Sequence, residues 1–140
     1  EQLKVADELA TTFLVGKSIE EAYFYIGKFD PDSTNLTKVN LANKELRKFL
    51  LSRNEKINRE VKLLEDKFKN KEIADTTFKS MRNKAKGVDD APFVIVKTSK
   101  KSKYKTVIDI IDELNICNIG KYAVVDITPD EQAALEKYTN

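Results

Sequence analysis

Apolar residues form two short, dense runs near the start of the chain. Residues 9–16 read LATTFLVG, and residues 22–26 read AYFYI, with Gly27 and Pro31 following the second run. Runs rich in Thr, Val and aromatic residues and bounded by Gly or Pro are typical of β-strands. We therefore predict that these two runs pair as a β-hairpin and that much of their surface is covered.

The pattern becomes helical after the turn cluster DPDSTN at residues 30–35. Apolar residues then recur at spacings of 4, 7, 4, 3 and 4, which places them on one face of an α-helix. This stripe predicts a helix of about thirty residues, long for a globular domain, with its N-cap in the region Ser33–Thr37. We expect a bend near Asn70 and a second helical piece after it. The stripe is Leu46, Leu50, Ile57, Val61, Leu64 and Phe68, and the second piece carries Ile73, Phe78 and Met81.

The last third of the chain combines strand and helix patterns in a short space. Phe93–Ser99 reads FVIVKTS, an apolar run without alternation that predicts a central strand buried on both faces. A second apolar strand is predicted at Tyr122–Ile127, after Gly120. Strand, helix and strand in this order predict a βαβ unit with parallel strands. The helix between them has its apolar positions at Tyr104, Val107, Ile108, Ile111 and Leu114.

A short helix is expected to close the chain, with Thr128 as N-cap and Pro129 at its first position. Together these elements predict an α+β fold: a small mixed β-sheet with helices packed on one face, a C-terminal βαβ unit and a long charged helical insertion. We place the insertion at residues 60–90. The chain has 140 residues, of which 41% are hydrophobic and 34% charged, so we expect a single domain spanning residues 1–140.

Charge is unevenly distributed, although the net charge is only +2. Lys44–Lys86 contains 14 Lys and Arg against 7 Asp and Glu. One interpretation is a nucleic-acid-binding module that uses this basic stretch and the Tyr23–Tyr25 run as a stacking platform. The other is a solvated helix face and a core strand, because acids alternate with the basic residues. The basic loop Lys97–Lys105 has similar alternatives: it can bind phosphate or an acidic partner, or it is simply solvated.

The residues that carry most enzyme chemistry are sparse. The chain has no histidine, so Cys117 has no histidine base to activate it, and we predict that this thiol lies in the core. Asp109, Asp112 and Glu113 can be a carboxylate cluster for a divalent cation or an ordinary solvated helix face. Neither a glycine-rich phosphate loop nor a nucleophile–base pair is visible. We therefore predict a protein that is not an enzyme and has no cofactor and no metal.

Residues 93–127 resemble the C-terminal part of the ExbD/TolR family of biopolymer transport proteins. The family pattern there is a strand, a small polar turn, a Tyr, a helix with a conspicuous Asp-x-Leu, a short connection and a last apolar strand. The charged stretch near residues 60–90 looks like an insertion relative to the family. The matching positions are Phe93–Val96, Tyr104, Val107, Ile108, Ile111, Asp112, Leu114, Ile119, Gly120 and Tyr122–Val125.

The resemblance implies the periplasmic domain of a single-pass inner-membrane protein that works in a TonB–ExbB–ExbD type system. Family members form dimers within an ExbB-like or TolQ-like ring, and the proton motive force energises a TonB-like or TolA-like partner for transport at the outer membrane. Apolar runs here are far shorter than the roughly 20 residues that span a bilayer, and the chain starts at Glu1. We therefore expect a fragment whose transmembrane helix lies upstream.

An exposed sheet edge suits a domain of this kind, because an unpaired edge strand is a template for another chain. We predict that the last strand pairs with a second copy or a TonB-like segment through Tyr122, Val124 and Asp126. The expected function is thus a non-enzymatic motor subunit without nucleic-acid partners. The alternatives are a TolR-like envelope-maintenance subunit and a soluble nucleic-acid-binding module.

Overall fold

The computed structural model describes residues 8–139, and a five-stranded mixed sheet lies at its centre in the order β3-β2-β1-β4-β5. The strands are β1 (Ala10–Leu14), β2 (Glu21–Ile26), β3 (Thr37–Asn40), β4 (Phe93–Thr98) and β5 (Lys121–Asp126). The helices are α1 (Glu45–Arg53), α2 (Glu55–Lys69), α3 (Asp75–Lys86), α4 (Tyr104–Ile116) and α5 (Pro129–Thr139).

Strand β1 holds the middle of the sheet. It pairs antiparallel with β2, where Phe13 is the register partner of Phe24, and parallel with β4, where Phe13 is the register partner of Val96. All five residues of β1 are buried, because it has a neighbour on each side and cover on each face. The predicted hairpin and the predicted parallel βαβ unit β4–α4–β5 are both confirmed, as is the mixed α+β class.

Helices α1 and α4 cover one face of the sheet. Their buried leucines pack against side chains from four strands, so the largest core of the protein lies here. Successive residues of a strand point to opposite faces. Leu14, which follows Phe13, therefore lies on the other side of the sheet. The first core comprises Phe13, Val15, Ala22, Val39, Leu46, Leu50, Val94, Val96, Ile110, Leu114, Cys117 and Ile119.

Helix α5 covers part of the opposite face, with Leu135 packed among Leu14, Tyr23 and Tyr25. The expectation that helices lie on one face thus describes α1 and α4, and the structure adds α5 on the second face. The apolar residues of β1 and β2 that point away from α1 require this cover, because their leucine and tyrosine side chains would otherwise be exposed to water.

The prediction of one continuous helix from Leu46 to Phe68 is wrong, because the helix is interrupted at Asn54. Its buried side-chain amide donates hydrogen bonds of 2.9 Å to the carbonyl oxygens of both Cys117 and Asn118. The backbone of Asn54 leaves helical geometry at ψ 29° with φ −120°. A tertiary contact therefore separates α1 from α2 within an unbroken apolar stripe.

The predicted N-cap region Ser33–Thr37 is also wrong. Residues Thr37–Asn40 form β3, in which Val39 is the buried residue, and α1 begins only after Lys44. A four-residue strand with a single buried side chain has too short a pattern to be distinguished from a turn.

Helices α2 and α3 form an antiparallel pair over residues 55–86, so most of the charged stretch at residues 60–90 is a helical hairpin, and its status as an insertion stays a prediction. The rings of Phe68 and Phe78 stack near its turn, with centroids 5.0 Å apart. Ile57 and Val61 bury the other end of α2 against Ala91. The predicted bend near Asn70 is a full reversal of the chain.

A candidate partner-binding edge

Strand β5 lies at the edge of the sheet and pairs with β4 alone among the described residues. The N–H and C=O groups on its outer side therefore have no strand partner within residues 8–139. Its apolar side chains are unusually open: Tyr122 is 41% exposed, Val124 45% and Val125 43%. An edge strand with apolar side chains and open backbone groups is suited to strand addition.

The register of β5 places the predicted partner-binding residues on one face. Tyr122 faces Val94, and Val124 faces Val96, and both of these β4 residues belong to the core beneath α4. Asp126 follows on the same face at the exposed end of the strand. The predicted residues therefore share a face, whereas Val125 points to the other side of the sheet.

One flank of α4 borders the same edge. Glu113 accepts two hydrogen bonds from the Arg47 guanidinium group at 2.9 and 2.8 Å, so its flank faces α1 on the β3 side of the sheet. Tyr104, Ile108 and Ile111 lie on the flank opposite Glu113 at spacings of four and three, and we infer from the strand order that this flank borders β5. We name these three residues together with Tyr122 and Val124 the edge surface.

The sequence placed Tyr104 on the buried face of α4, but the structure shows it 79% exposed. Thr106, Ile110 and Leu114 face the sheet instead. The width of the apolar arc on α4 indicates this exposure. Val107, Ile110 and Leu114 already form a stripe that faces the sheet, so the other apolar residues of the helix lie outside the surface that the sheet covers.

The other edge of the sheet has a different character. Strand β3 has four residues, and Lys38 on it forms an ion pair of 3.2 Å with Glu21. Short edge strands that carry charge resist pairing with other chains. This contrast indicates that β5, and not β3, is the edge strand that is open to pairing with another chain.

The connection that leads into β5 is held by three asparagines, which we call the asparagine cluster (Asn54, Asn58 and Asn118). Asn54 donates to the carbonyl oxygens of Cys117 and Asn118, and Asn58 donates to that of Cys117 at 3.1 Å. The Asn118 amide donates back to the Asn58 side-chain oxygen at 2.8 Å. The helical hairpin thereby determines where β5 starts.

Two further contacts join this connection to α3 and the segment after it. A Cβ atom added at Gly120 would lie 2.8 Å from Cβ of Lys86 and 3.0 Å from its carbonyl oxygen, so the backbones meet at a distance that only glycine allows. The Lys121 ammonium group donates to the carbonyl oxygen of Val88. The edge strand is thus anchored at its N-terminal end.

Cys117 lies in the core, as predicted, and its thiol contacts the carbonyl oxygen of Arg47 at 3.8 Å. Burial raises the pKa of the thiol to about 11, with the nearby Glu113 carboxylate contributing in the same direction. A protonated, enclosed thiol is a poor nucleophile. The structure therefore gives Cys117 a packing role.

Two of the three carboxylates of α4 form separate ion pairs. Asp109 pairs with Lys105 at 2.7 Å, and Glu113 pairs with Arg47, while Asp112 points to solvent. Across residues 8–139, no group of three or more His, Cys, Asp or Glu side chains is arranged to hold a metal ion.

The aromatic run of β2 is enclosed. Tyr23 and Tyr25 are buried beneath α5, and the Tyr25 hydroxyl group donates to the Glu131 carboxylate. Phe24 lies on the other face, with its ring centroid 4.3 Å from that of Phe49. The predicted alternative of a base-stacking platform at Tyr23–Tyr25 is therefore wrong, because Tyr23 and Tyr25 point to one face of the sheet, Phe24 points to the other, and all three rings pack against other parts of the protein.

Within the described part of the chain, no helix combines the length and apolar character needed to cross a bilayer. Comparison of this chain with protein-family models, with curated proteins and with solved structures found no match.

Proposed function

We propose that this chain is a non-enzymatic binding domain that takes up an extended segment of another chain along the edge of β5. The observation that carries the proposal is the exposure of Tyr122 and Val124 beside an open strand edge. Burying an apolar side chain of this size stabilises a complex by roughly 1–2 kcal/mol, and added backbone hydrogen bonds fix the register of the incoming strand.

The flank of α4 adds specificity to such pairing. A strand laid along β5 would present alternate side chains to the face that carries Tyr122 and Val124. Those side chains would meet Tyr104, Ile108 and Ile111 on the neighbouring helix. The occupant is therefore expected to have apolar residues at every second position.

We further propose that the domain acts in the periplasm as part of an ExbD/TolR-type inner-membrane motor subunit. The resemblance of residues 93–127 to that family supports this role, and β4, α4 and β5 occur in the order of the family pattern. The occupant of the edge surface is then a segment of a TonB-like or TolA-like protein. The subunit would reach its ExbB-like or TolQ-like partner through a transmembrane helix outside this chain.

A second copy of the chain is the other occupant that fits this edge. Two β5 strands related by a two-fold axis would pair antiparallel and bury both edge surfaces. This arrangement accounts for the predicted homodimer without a further interface. The same edge cannot hold a second copy and a partner segment at once, so the two assemblies compete.

The test uses Val124→Lys and Val125→Lys as a matched pair, because these valines are neighbours with nearly equal exposure on opposite faces of the sheet. Binding is measured by calorimetry with TonB-like or TolA-like periplasmic segments from the same genome, and self-association by sedimentation. Val124→Lys should weaken pairing at least about tenfold, since it places an ammonium group in an apolar contact. Val125→Lys should change it less than about threefold.

Val124→Pro is the stronger variant, because proline cannot complete a strand ladder, and it should abolish pairing. Circular dichroism and the urea midpoint establish that each variant is folded. Wild-type pairing in a folded Val124→Pro variant, or equal losses in the two lysine variants, would contradict the proposal. So would a wild-type protein that binds neither a partner segment nor itself.

A further inference from the structure

A second candidate site lies at the carboxyl ends of two neighbouring parallel strands. From the end of β1 the chain turns toward β2 on one side, whereas from the end of β4 it crosses to β5 on the other side. Adjacent loops that leave in opposite directions open a crevice between them. In open sheets this switch point is where ligands are commonly bound.

Hydrogen bonds join the two loops into one wall of this crevice. The N–H group of Val15 donates to the carbonyl oxygen of Lys97 at 3.0 Å, and the Ser102 hydroxyl group donates to the carbonyl oxygen of Val15 at 2.7 Å. The Thr106 hydroxyl group donates to the carbonyl oxygen of Ser18 at 2.9 Å. The crevice is therefore preformed.

The crevice has a volume of about 650 Å³, which is within the range of small-molecule sites. Lys17 and Lys101 line it from the two loops, and neither forms an ion pair within residues 8–139. The third lysine, Lys38, already pairs with Glu21. Lys17 and Lys101 thus lack carboxylate partners within residues 8–139, whereas the Glu136 carboxylate, which lines the same crevice, accepts a hydrogen bond from the Gln132 amide at 3.1 Å.

The opposite wall is formed by α5 and β2. Tyr23, Leu135 and Tyr138 supply its apolar and aromatic surface, and Gln132 lies among them. The Gln132 side-chain oxygen is buried and has no hydrogen-bond donor among the described residues. Buried polar atoms are nearly always paired, so an unpaired acceptor in a crevice indicates a missing donor.

We propose that this crevice binds a phosphorylated polyol or sugar. Lys17 and Lys101 hold the phosphate group as point charges, the Gln132 oxygen accepts a hydrogen bond from a ligand hydroxyl group, and the aromatic wall covers the carbon skeleton. The site lies on a different part of the sheet from the edge surface, and it stands independently of the function proposed above.

The test uses sn-glycerol 3-phosphate and inorganic phosphate as probes, with binding followed by nuclear magnetic resonance shifts of Gly16, Lys17, Lys101 and Gln132. The double variant Lys17→Gln/Lys101→Gln is matched by Lys100→Gln/Lys103→Gln, which removes the same charge from lysines outside the crevice. The first should weaken binding of glycerol 3-phosphate at least about tenfold, because each lost lysine removes a charge-assisted hydrogen bond. The control should change it less than about twofold.

Two uncharged variants separate a built site from general attraction. Gly16→Val fills the crevice toward Leu135, whose Cδ2 atom lies 3.5 Å from a Cβ at position 16, and it should weaken binding of both probes. Gln132→Leu should weaken binding of glycerol 3-phosphate and leave inorganic phosphate unchanged, since only the former offers a hydroxyl group.

The source of the ligand is decided with vesicles. Phosphatidylglycerol vesicles that bind the wild type and not Lys17→Gln/Lys101→Gln would assign the phosphate to a lipid headgroup, whereas binding of the soluble probe alone would assign a free metabolite. Equal losses in the two double variants would overturn the proposal, because they indicate non-specific electrostatics. Absence of any shift at the four positions with glycerol 3-phosphate would overturn it as well.

Discussion

The ammonium group of Lys97 lies 2.8 Å from Oε2 of Glu131, so strand β4 and helix α5 are joined by an ion pair that is almost closed to water. The Glu131 carboxylate also accepts hydrogen bonds from the hydroxyl groups of Tyr25 and Thr128. The N–H group of Thr128 donates to Oε1 of Glu131 at 3.0 Å, and the N–H group of Glu131 donates to the Thr128 hydroxyl oxygen at 3.2 Å, so the two residues form the capping box of α5. One carboxylate therefore starts the helix and attaches it to the sheet.

Glu131→Gln should lower the free energy of unfolding by about 3 kcal/mol, because it leaves the Lys97 charge without its partner in a buried place. Urea unfolding followed by circular dichroism measures the change. Glu136→Gln on the same helix is the control, since Glu136 is exposed, and its effect should stay below about 0.5 kcal/mol. Equal effects would show that the ion pair does not hold α5.

Stability should also fall in acid for the same reason. Burial alone would raise the pKa of Glu131, but hydrogen bonds from Lys97, Tyr25 and Thr128 outweigh burial and lower it below its ordinary value of 4.5. A carboxyl group with a lowered folded pKa contributes stability that is present above its unfolded pKa and is lost as pH falls through the folded pKa.

The measurement compares urea midpoints at pH 7 and pH 3 for the wild type and Glu131→Gln. We expect the loss on acidification to be smaller in the variant, because its amide does not titrate. A variant that loses as much stability as the wild type would place the acid sensitivity in other carboxylates.

Asn54→Ala should destabilise the protein by about 2 kcal/mol. The carbonyl oxygen of Asn118 would lose its amide donor, and that of Cys117 would keep only Asn58; an unsatisfied buried polar group costs about 1–3 kcal/mol. Asn115→Ala is the control, because Asn115 is exposed near the end of α4. Hydrogen exchange should show faster opening at Ile119–Tyr122 in Asn54→Ala, and unchanged protection there would contradict the anchoring role.

Gly120→Ala should cost about 1–3 kcal/mol, since the added methyl group meets backbone atoms of Lys86 that cannot turn away. Gly16→Ala is the matched substitution, because its Cβ would meet only the Leu135 side chain at an ordinary 3.5 Å. The difference between their urea midpoints measures the close approach. Equal urea midpoints for the two variants would mean that α3 moves away from position 120 at no cost in stability.

The sequence predicted the strands of the sheet better than the helices that pack on them. Dense apolar runs identified β1, β2, β4 and β5, because local composition determines strands of five or six residues. The break at Asn54 was hidden, since the apolar stripe skips from Leu50 to Ile57 and continues in phase. Only carbonyl groups more than sixty residues away explain why the helix stops there.

The position of the candidate site at a sheet edge was predicted, since the strand of Tyr122, Val124 and Asp126 does lie at the edge, while the role of these residues in partner binding stays a prediction. The contribution of Tyr104 was missed, since the same spacing fits a buried face and an open flank equally well. Which flank remains open depends on α1, and the Arg47–Glu113 contact that places α1 has no local pattern.

The asparagine cluster also couples the helical hairpin mechanically to strand β5. Tension applied to β5 along its length reaches the Cys117–Gly120 connection before it reaches α4, and the three amides pass it into α2. Bonds that share a load yield at higher tension than bonds broken one after another. The hairpin thus resists displacement of β5 at its N-terminal end.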